Sequence, residues 1–339
     1  MFPAPTYPTP VRIYPELGHE AGELWLKNDG LSHSVYGGNK VRKAERLVAE
    51  AMRRGAPRVL SFGAAGSHHL LTLTLFARAA GLRSAAIVFP QPHTQHATDT
   101  LRAALGLGLE AHPARHVALI PWVLSRTLRR GDYVVAPGGS NVVGALACAD
   151  AVDELALQIA AGALPTPDWI VVPLGSGGTC AGIAAGVVRR GLACRVLGVQ
   201  VVGGAGPRLA ARFLARQALH RSGFGERTRE LARTLIFDTA QVGPGYGAAS
   251  EAGTRATAIA AGIGLELDPT YTAKAFAATL ELLRSATTRA SSERPLRVLY
   301  WHTLAATSLE PLLTAAPTEA ELPASLRQLL RVGPNSDLP

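Results

Sequence analysis

Seven short apolar stretches, with helical segments between most of them, constrain this chain more than any other feature. They lie at 58–62, 84–89, 110–114, 133–136, 169–173, 195–202 and 297–301 and are rich in Val, Ile and Leu. A strand that is apolar on both sides must be covered on both faces, and parallel sheets wrapped by helices provide that cover. An eighth stretch, 23–27, alternates like a strand and ends at the turn residues Asn28, Asp29 and Gly30. The fold class predicted is α/β, two doubly wound domains with mainly parallel sheets. From Lys40 the pattern turns helical: Val41, Ala44, Leu47, Val48 and Ala51 share one face, and Gly55 and Pro57 end the helix. The chain then enters a smaller α/β unit over 49–150. Residues 1–48 and 151–339 form a larger one. The proline-rich start, with Pro3, Pro5, Pro8, Pro10 and Pro15, reads as an extended arm.

Composition excludes several classes of protein. At 47% hydrophobic and 17% charged residues, the chain has ample core material and too few charges for disorder. The net charge is +9, and of 34 basic residues only Lys27, Lys40, Lys43 and Lys274 are lysines, leaving 30 arginines. These never cluster into a long run, which argues against a nucleic-acid partner. No apolar run reaches membrane-spanning length, and no signal peptide is evident, so neither a membrane nor secretion is expected. Cys148, Cys180 and Cys194 have no CxxC spacing, which fits a reducing, cytoplasmic setting. His93 and His96 read as loop or helix-start residues, so no metal is expected.

Three glycine-bearing turns carry candidate chemistry. Gly175, Ser176, Gly177, Gly178 and Thr179 follow an apolar strand and open an Ala-rich helix. Backbone amides converging at a helix start make a phosphate cradle, although the same residues also suit a plain tight turn. Gly37, Gly38, Asn39 and Lys40 place a lysine at a helix start, where a cation is disfavoured. Lysine is scarce here, and an amine able to lose its proton would justify keeping one; an ordinary surface lysine is the alternative. Ser67, His68 and His69 open another helix, where Ser67 is a candidate N-cap and exposed amides suit a carboxylate. The turns at Gly138, Gly139, Ser140 and Asn141 and at Asp268, Pro269, Thr270, Tyr271 and Thr272 are weaker signals.

Taken in order, the GGNK, Ser–His, GGSN, GSGGT and DPxYT segments resemble the pyridoxal-phosphate enzymes of the tryptophan-synthase-β fold group (fold type II). Within it the chain looks like the D-cysteine desulfhydrase and 1-aminocyclopropane-1-carboxylate deaminase family, over roughly residues 24–303. The resemblance implies pyridoxal 5'-phosphate in an interdomain cleft, a homodimer, and a lyase or deaminase acting on a small amino acid by α,β-elimination to a keto acid and ammonia. Cyclopropane amino-acid deamination, or cofactor binding with little catalysis, are the alternatives. Lys40 would bind the cofactor covalently and move protons. Gly175, Ser176, Gly177, Gly178 and Thr179 would hold its phosphate, with Asn39 beside them. Ser67 and the amides of His68 and His69 would receive the substrate carboxylate. Tyr246 and Tyr271 would flank the substrate. Thr272 would face the pyridine nitrogen; the deaminase branch carries Glu there, so Thr resembles the desulfhydrase branch. His68 stands where the family usually has an Asn contacting the cofactor's ring oxygen. Leu304 and Ala305 replace two family glycines.

Overall fold

The computed structural model describes residues 2–18, 21–243, 245, 247–287 and 294–330. In chain order the strands are β1 (Val11–Ile13), β2 (Gly22–Asn28), β3 (Arg58–Ala64), β4 (Arg83–Phe89), β5 (Leu109–Pro113), β6 (Tyr133–Val134), β7 (Trp169–Leu174), β8 (Arg195–Gln200), β9 (Leu235–Asp238) and β10 (Leu296–His302). The helices are α1 (Lys40–Arg53), α2 (His68–Ala79), α3 (Gln95–Gly106), α4 (Ile120–Thr127), α5 (Val142–Ala160), α6 (Gly178–Arg190), α7 (Gly206–Arg221), α8 (Leu231–Thr234), α9 (Glu251–Ala261), α10 (Thr272–Thr287), α11 (Glu310–Leu313) and α12 (Ala324–Leu329). The α/β class with mainly parallel sheets is as the sequence predicts. Two compact units divide the chain. One holds 43–141 together with the described residues from 308 on; the other holds 3–42 and 142–307.

The first unit is a parallel four-stranded sheet in the order β5-β4-β3-β6. All seven residues of β3 are buried, Arg58 and Ser61 among them, so the strand is covered on both faces. The buried Arg58 guanidinium at its start pairs with Asp132 at 2.6 Å and Glu110 at 2.9 Å. The segment after residue 307 belongs to this unit, not to the larger one where the sequence placed it. The physical reason is local: Arg102 Nε on α3 donates to Pro317 O at 2.7 Å, and Ala316 packs against Gly106.

The second unit has a six-stranded sheet, β1-β2-β10-β7-β8-β9, in which β1 alone runs antiparallel to its neighbour. Its strands bury alternate residues on two cores. Ile170, Val172, Leu174, Leu299 and Trp301 face a core with α5, α6 and α7, while Val171, Val298 and Tyr300 face one with α9 and α10. Period-two alternation with both faces apolar explains why no polar stripe appears in these strands. The extended arm expected at the N-terminus contributes β1 as an edge strand. β9 was not expected; it is four residues long.

A buried ionic cluster ties the arm, β2, α1, α5 and β10 together. Arg42 reaches Asp29 Oδ1 at 2.8 Å and Glu154 Oε2 at 2.9 Å, Lys27 reaches Glu154 Oε1 at 2.6 Å, and Trp301 Nε1 donates to Asp29 Oδ2 at 2.8 Å. Asp29, read from sequence as a turn residue, is fully buried in this cluster. The Arg42 guanidinium outweighs the desolvation of the Asp29 carboxyl and holds it below its ordinary range.

Candidate functional site

Lys40 is the first residue of α1 and is half-buried. The turn before it lies at the carboxyl end of β10: Asn39 N donates to Thr303 O at 3.2 Å, and Gly38 N to Asp29 O at 2.8 Å. Carboxyl ends of parallel strands are where open α/β sheets bind ligands. The Asn39 side chain then reaches across the chain, its Nδ2 donating to Thr179 Oγ1 at 2.8 Å, with both groups buried. One hydrogen bond thereby joins the lysine turn to the GSGGT loop, 140 residues away in sequence.

That loop runs from the end of β7 into α6. Gly177 is the N-cap of α6 at φ 94°, in the left-handed region, and no side chain caps the helix. A Cβ here would stand 3.0 Å from Ala211 N and 3.3 Å from Pro207 O, backbone atoms of α7, so only Gly fits. The first turn of α6 carries no acid, and its last turn carries Arg189 and Arg190. Its amino end therefore presents uncapped positive potential, as an anion site requires. Gly175 is overlaid by the Tyr271 ring, whose Cε1 lies 2.8 Å from where a Cβ would stand. Cys180, in the first turn of α6, is buried and its thiol is pushed up to about 12, which rules it out as a nucleophile.

Thr272 opens α10, fully buried. Its hydroxyl donates to Asp268 Oδ2 at 2.6 Å and accepts from Asp268 N at 2.6 Å. Asp268 also accepts from the amides of Thr270 and Tyr271, at 2.9 and 2.7 Å. With its one proton given to a carboxylate, Thr272 has only a lone pair left to offer a ring nitrogen. A neighbouring group that sequence reasoning missed is His302, at the end of β10. It is buried, its Nδ1 has no hydrogen-bond partner among the described residues, and burial pulls its pKa down to about 4. An isolated histidine at the end of an apolar strand carries no sequence signal for such a setting. Lys274 is likewise fully buried and holds the Val242 and Gly245 carbonyls at 2.8 and 3.0 Å. Tyr246 lies outside the described residues.

The remaining predicted residues belong to the first unit. Ser67 is the N-cap of α2, as expected, accepting from Leu70 N at 3.4 Å. His69 turns its ring inward, where Nε2 meets Ser61 Oγ at 2.9 Å. Ser61 donates to Val135 O, so Nε2 of the ring is the donor in this pair. His68 is half-buried, and its Nε2 lies 3.2 Å from His96 Nε2 on α3. No group of three or more potential metal ligands occurs among the described residues.

The second unit thus offers an amine, an uncapped glycine-lined helix start with no room for a side chain, and a buried imidazole nitrogen with an open valence. This donor set fits a phosphorylated aldehyde cofactor. Comparisons with known proteins agree. The chain is 32% identical over 287 residues to nocardicin C-9' epimerase of Nocardia uniformis subsp. tsuyamanensis, covering 80% of this chain and 85% of that protein. It is 30% identical over 315 residues to D-cysteine desulfhydrase of Klebsiella pneumoniae subsp. pneumoniae, covering 89% and 93%. The crystal structure of an ACC deaminase homologue superposes with a TM-score of 0.72 at 26% identity, covering 93% of this chain and 95% of that one. A family model described as pyridoxal-phosphate dependent enzyme matches residues 4–299. The chain belongs to the pyridoxal-phosphate-dependent enzyme family.

Proposed function

We propose that this enzyme is a lyase of the D-cysteine desulfhydrase type, which eliminates the β-substituent of a small amino acid and releases a keto acid and ammonia. The observation that carries the reading is the Asn39–Thr179 hydrogen bond, which sets the lysine turn against the uncapped start of α6. Pyridoxal 5'-phosphate, when bound, supplies an electron sink for negative charge at the substrate's α-carbon. Lys40 Nζ would hold the cofactor covalently and would take the proton from the substrate's α-carbon. Gly175, Ser176, Gly177, Gly178 and Thr179 bind the phosphate through the α6 amino end. Ser67 and the amides of His68 and His69 receive the substrate carboxylate, and Tyr271 flanks the substrate and assists proton transfer. Thr272, backed by Asp268, accepts a hydrogen bond from the ring nitrogen. The donor role that a hydroxyl would otherwise offer at this position is spent on Asp268.

Two other readings have support. The ACC deaminase homologue favours cyclopropane amino-acid deamination, and the epimerase relative favours α-proton exchange without elimination. A cytoplasmic homodimer completes the reading; among the described residues no helix is long and apolar enough to cross a membrane. The test is twofold. Borohydride reduction and peptide mapping should place the pyridoxyl group on Lys40, and a label on Lys27, Lys43 or Lys274 overturns the assignment. Incubation with D- and L-cysteine and 1-aminocyclopropane-1-carboxylate in heavy water should release keto acid from D-cysteine. Release from the cyclopropane alone selects deamination, deuterium exchange without keto acid selects epimerisation, and no turnover selects a cofactor-binding protein with little catalysis.

A further inference from the structure

The excess positive charge of the chain is concentrated in one place. Residues 203–234 hold seven arginines against Glu226 and Glu230, a net +5 out of the chain's +9. Helix α7 itself has no acidic residue, and Arg208, Arg212 and Arg216 recur on one face at a spacing of four. None of the three meets a carboxylate among the described residues. Between them Leu209 and Phe213 are exposed at 61% and 59%. Arginine stems lie along apolar surface while their guanidinium heads stay in water, so this face can meet both the apolar body and the charged head of an amphipathic anion.

A cavity of about 450 Å³ lies along this face. Arg208, Leu209 and Arg212 of α7 form one wall; Leu235, Ile236 and Phe237 of β9 form the other. Arg212 sits 5.2 Å from the centre of the Phe237 ring. β9 is the edge strand of its sheet, so among the described residues no further strand closes the groove. The volume falls within the range typical of small-molecule sites, and the chemistry is two-part: an apolar floor and two guanidinium groups that can pair bidentately with a planar anion. The cavity is separate from the cofactor loop. Gly177 meets the backbone of Ala211 and Pro207, whereas the neighbouring Arg208 and Arg212 line the groove.

We propose that the groove between α7 and β9 binds an amphipathic organic anion, a carboxylate or sulfonate with an aliphatic or aromatic body. The experiment is calorimetric titration of the holoenzyme with decanoate and with 8-anilinonaphthalene-1-sulfonate, alongside decanol and acetate. Saturable binding of one decanoate per chain is expected, with decanol and acetate each at least tenfold weaker because each lacks one half of the recognition. The double variant Arg208→Gln/Arg212→Gln should weaken decanoate at least tenfold while keeping the cofactor absorbance, which reports intact folding. Arg216→Gln, on the same face but off the cavity wall, should change affinity less than twofold. An equal loss in Arg216→Gln overturns the site in favour of diffuse charge attraction. Decanol matching decanoate overturns the role of the arginines, and decanoate affinity unchanged in the double variant overturns the location. Adsorption to phosphatidylglycerol vesicles without binding of either soluble probe assigns the helix to a lipid surface and ends the proposal. Ile236→Arg, which fills the floor while adding charge, supplies a second check: tighter or unchanged decanoate binding refutes the cavity.

Discussion

Replacing Asn39 by Ala removes the amide that donates to Thr179 Oγ1 over 2.8 Å. Both side chains are only 7% exposed, so water does not readily take the donor's place. A typical neutral hydrogen bond contributes about 1 kcal/mol net, and stranding a buried partner costs about 1–3 kcal/mol. The Thr179 hydroxyl keeps its own proton and can rotate toward another acceptor, which puts the loss in the lower part of that range, about 1–2 kcal/mol. The bond ties the neighbour of Lys40 to the anion-binding turn, so the same loss should appear in cofactor affinity, as a fall of about 5–30-fold. The assay is urea unfolding of apo and holo forms together with pyridoxal phosphate titration, for Asn39→Ala, Thr179→Val and the double variant. A coupling energy of about 1 kcal/mol is expected in both readouts. Additivity within about 0.3 kcal/mol would show that the two side chains do not act on each other. Lost stability with cofactor affinity unchanged within twofold would leave the bond as scaffold alone and remove the main support for the proposed function.

The other expectations follow from single features. Gly177→Val places a β-branched residue in the left-handed region against the α7 backbone; cofactor affinity should fall by more than unfolding stability does, and superimposable cofactor titrations would reduce the loop to a plain turn. Arg42→Met leaves Asp29 charged and buried without its guanidinium, so about 3–5 kcal/mol of stability should be lost in denaturant unfolding; a loss below about 1 kcal/mol would contradict the cluster as described. His302 has a folded pKa near 4, below its unfolded value, so its neutral form contributes stability above about pH 6.5 that is lost as pH falls toward 4. At about 1.4 kcal/mol per pH unit this amounts to about 3 kcal/mol, and His302→Asn should flatten that part of the pH–stability curve. Parallel curves for the two proteins would place the acid sensitivity elsewhere.

Periodicity made the two-sided parallel sheets legible, because Ile170, Val171 and Val172 each need cover on their own face. It did not expose β9, whose four residues sit between an arginine-rich helix and a turn and take their register only from β8. Nor did it place the segment after residue 307, which Arg102 on a distant carbonyl, Ala316 against Gly106 and the buried Leu322, Leu326 and Leu329 hold to the first unit. At the candidate site, glycine spacing located both turns, but what joins them is a contact between residues 140 positions apart, which no local pattern encodes. Lysine scarcity does not by itself single out Lys40. Lys27, Lys43 and Lys274 are also retained, each for a buried role: an ion pair with Glu154, a bond to Gly138 O, and bonds to two carbonyls of one loop. A compact ammonium on a flexible stem suits such carbonyl cages as well as it suits covalent chemistry.

The distribution of those four amines has a practical consequence for aldehyde chemistry. An aldehyde adds to an accessible, unprotonated amine, and on most proteins exposed lysines compete with the intended one. Here the basic surface is built from guanidinium groups, which stay protonated, and three of the four lysine side chains are sealed inside the fold. Apart from the terminal amino group, the half-buried Lys40 is the amine within reach. Amine-directed reagents, fluorescent esters and cofactor analogues alike, should therefore modify the folded, cofactor-free protein at close to one lysine per chain, bound cofactor should protect that lysine, and unfolding should raise the number to four.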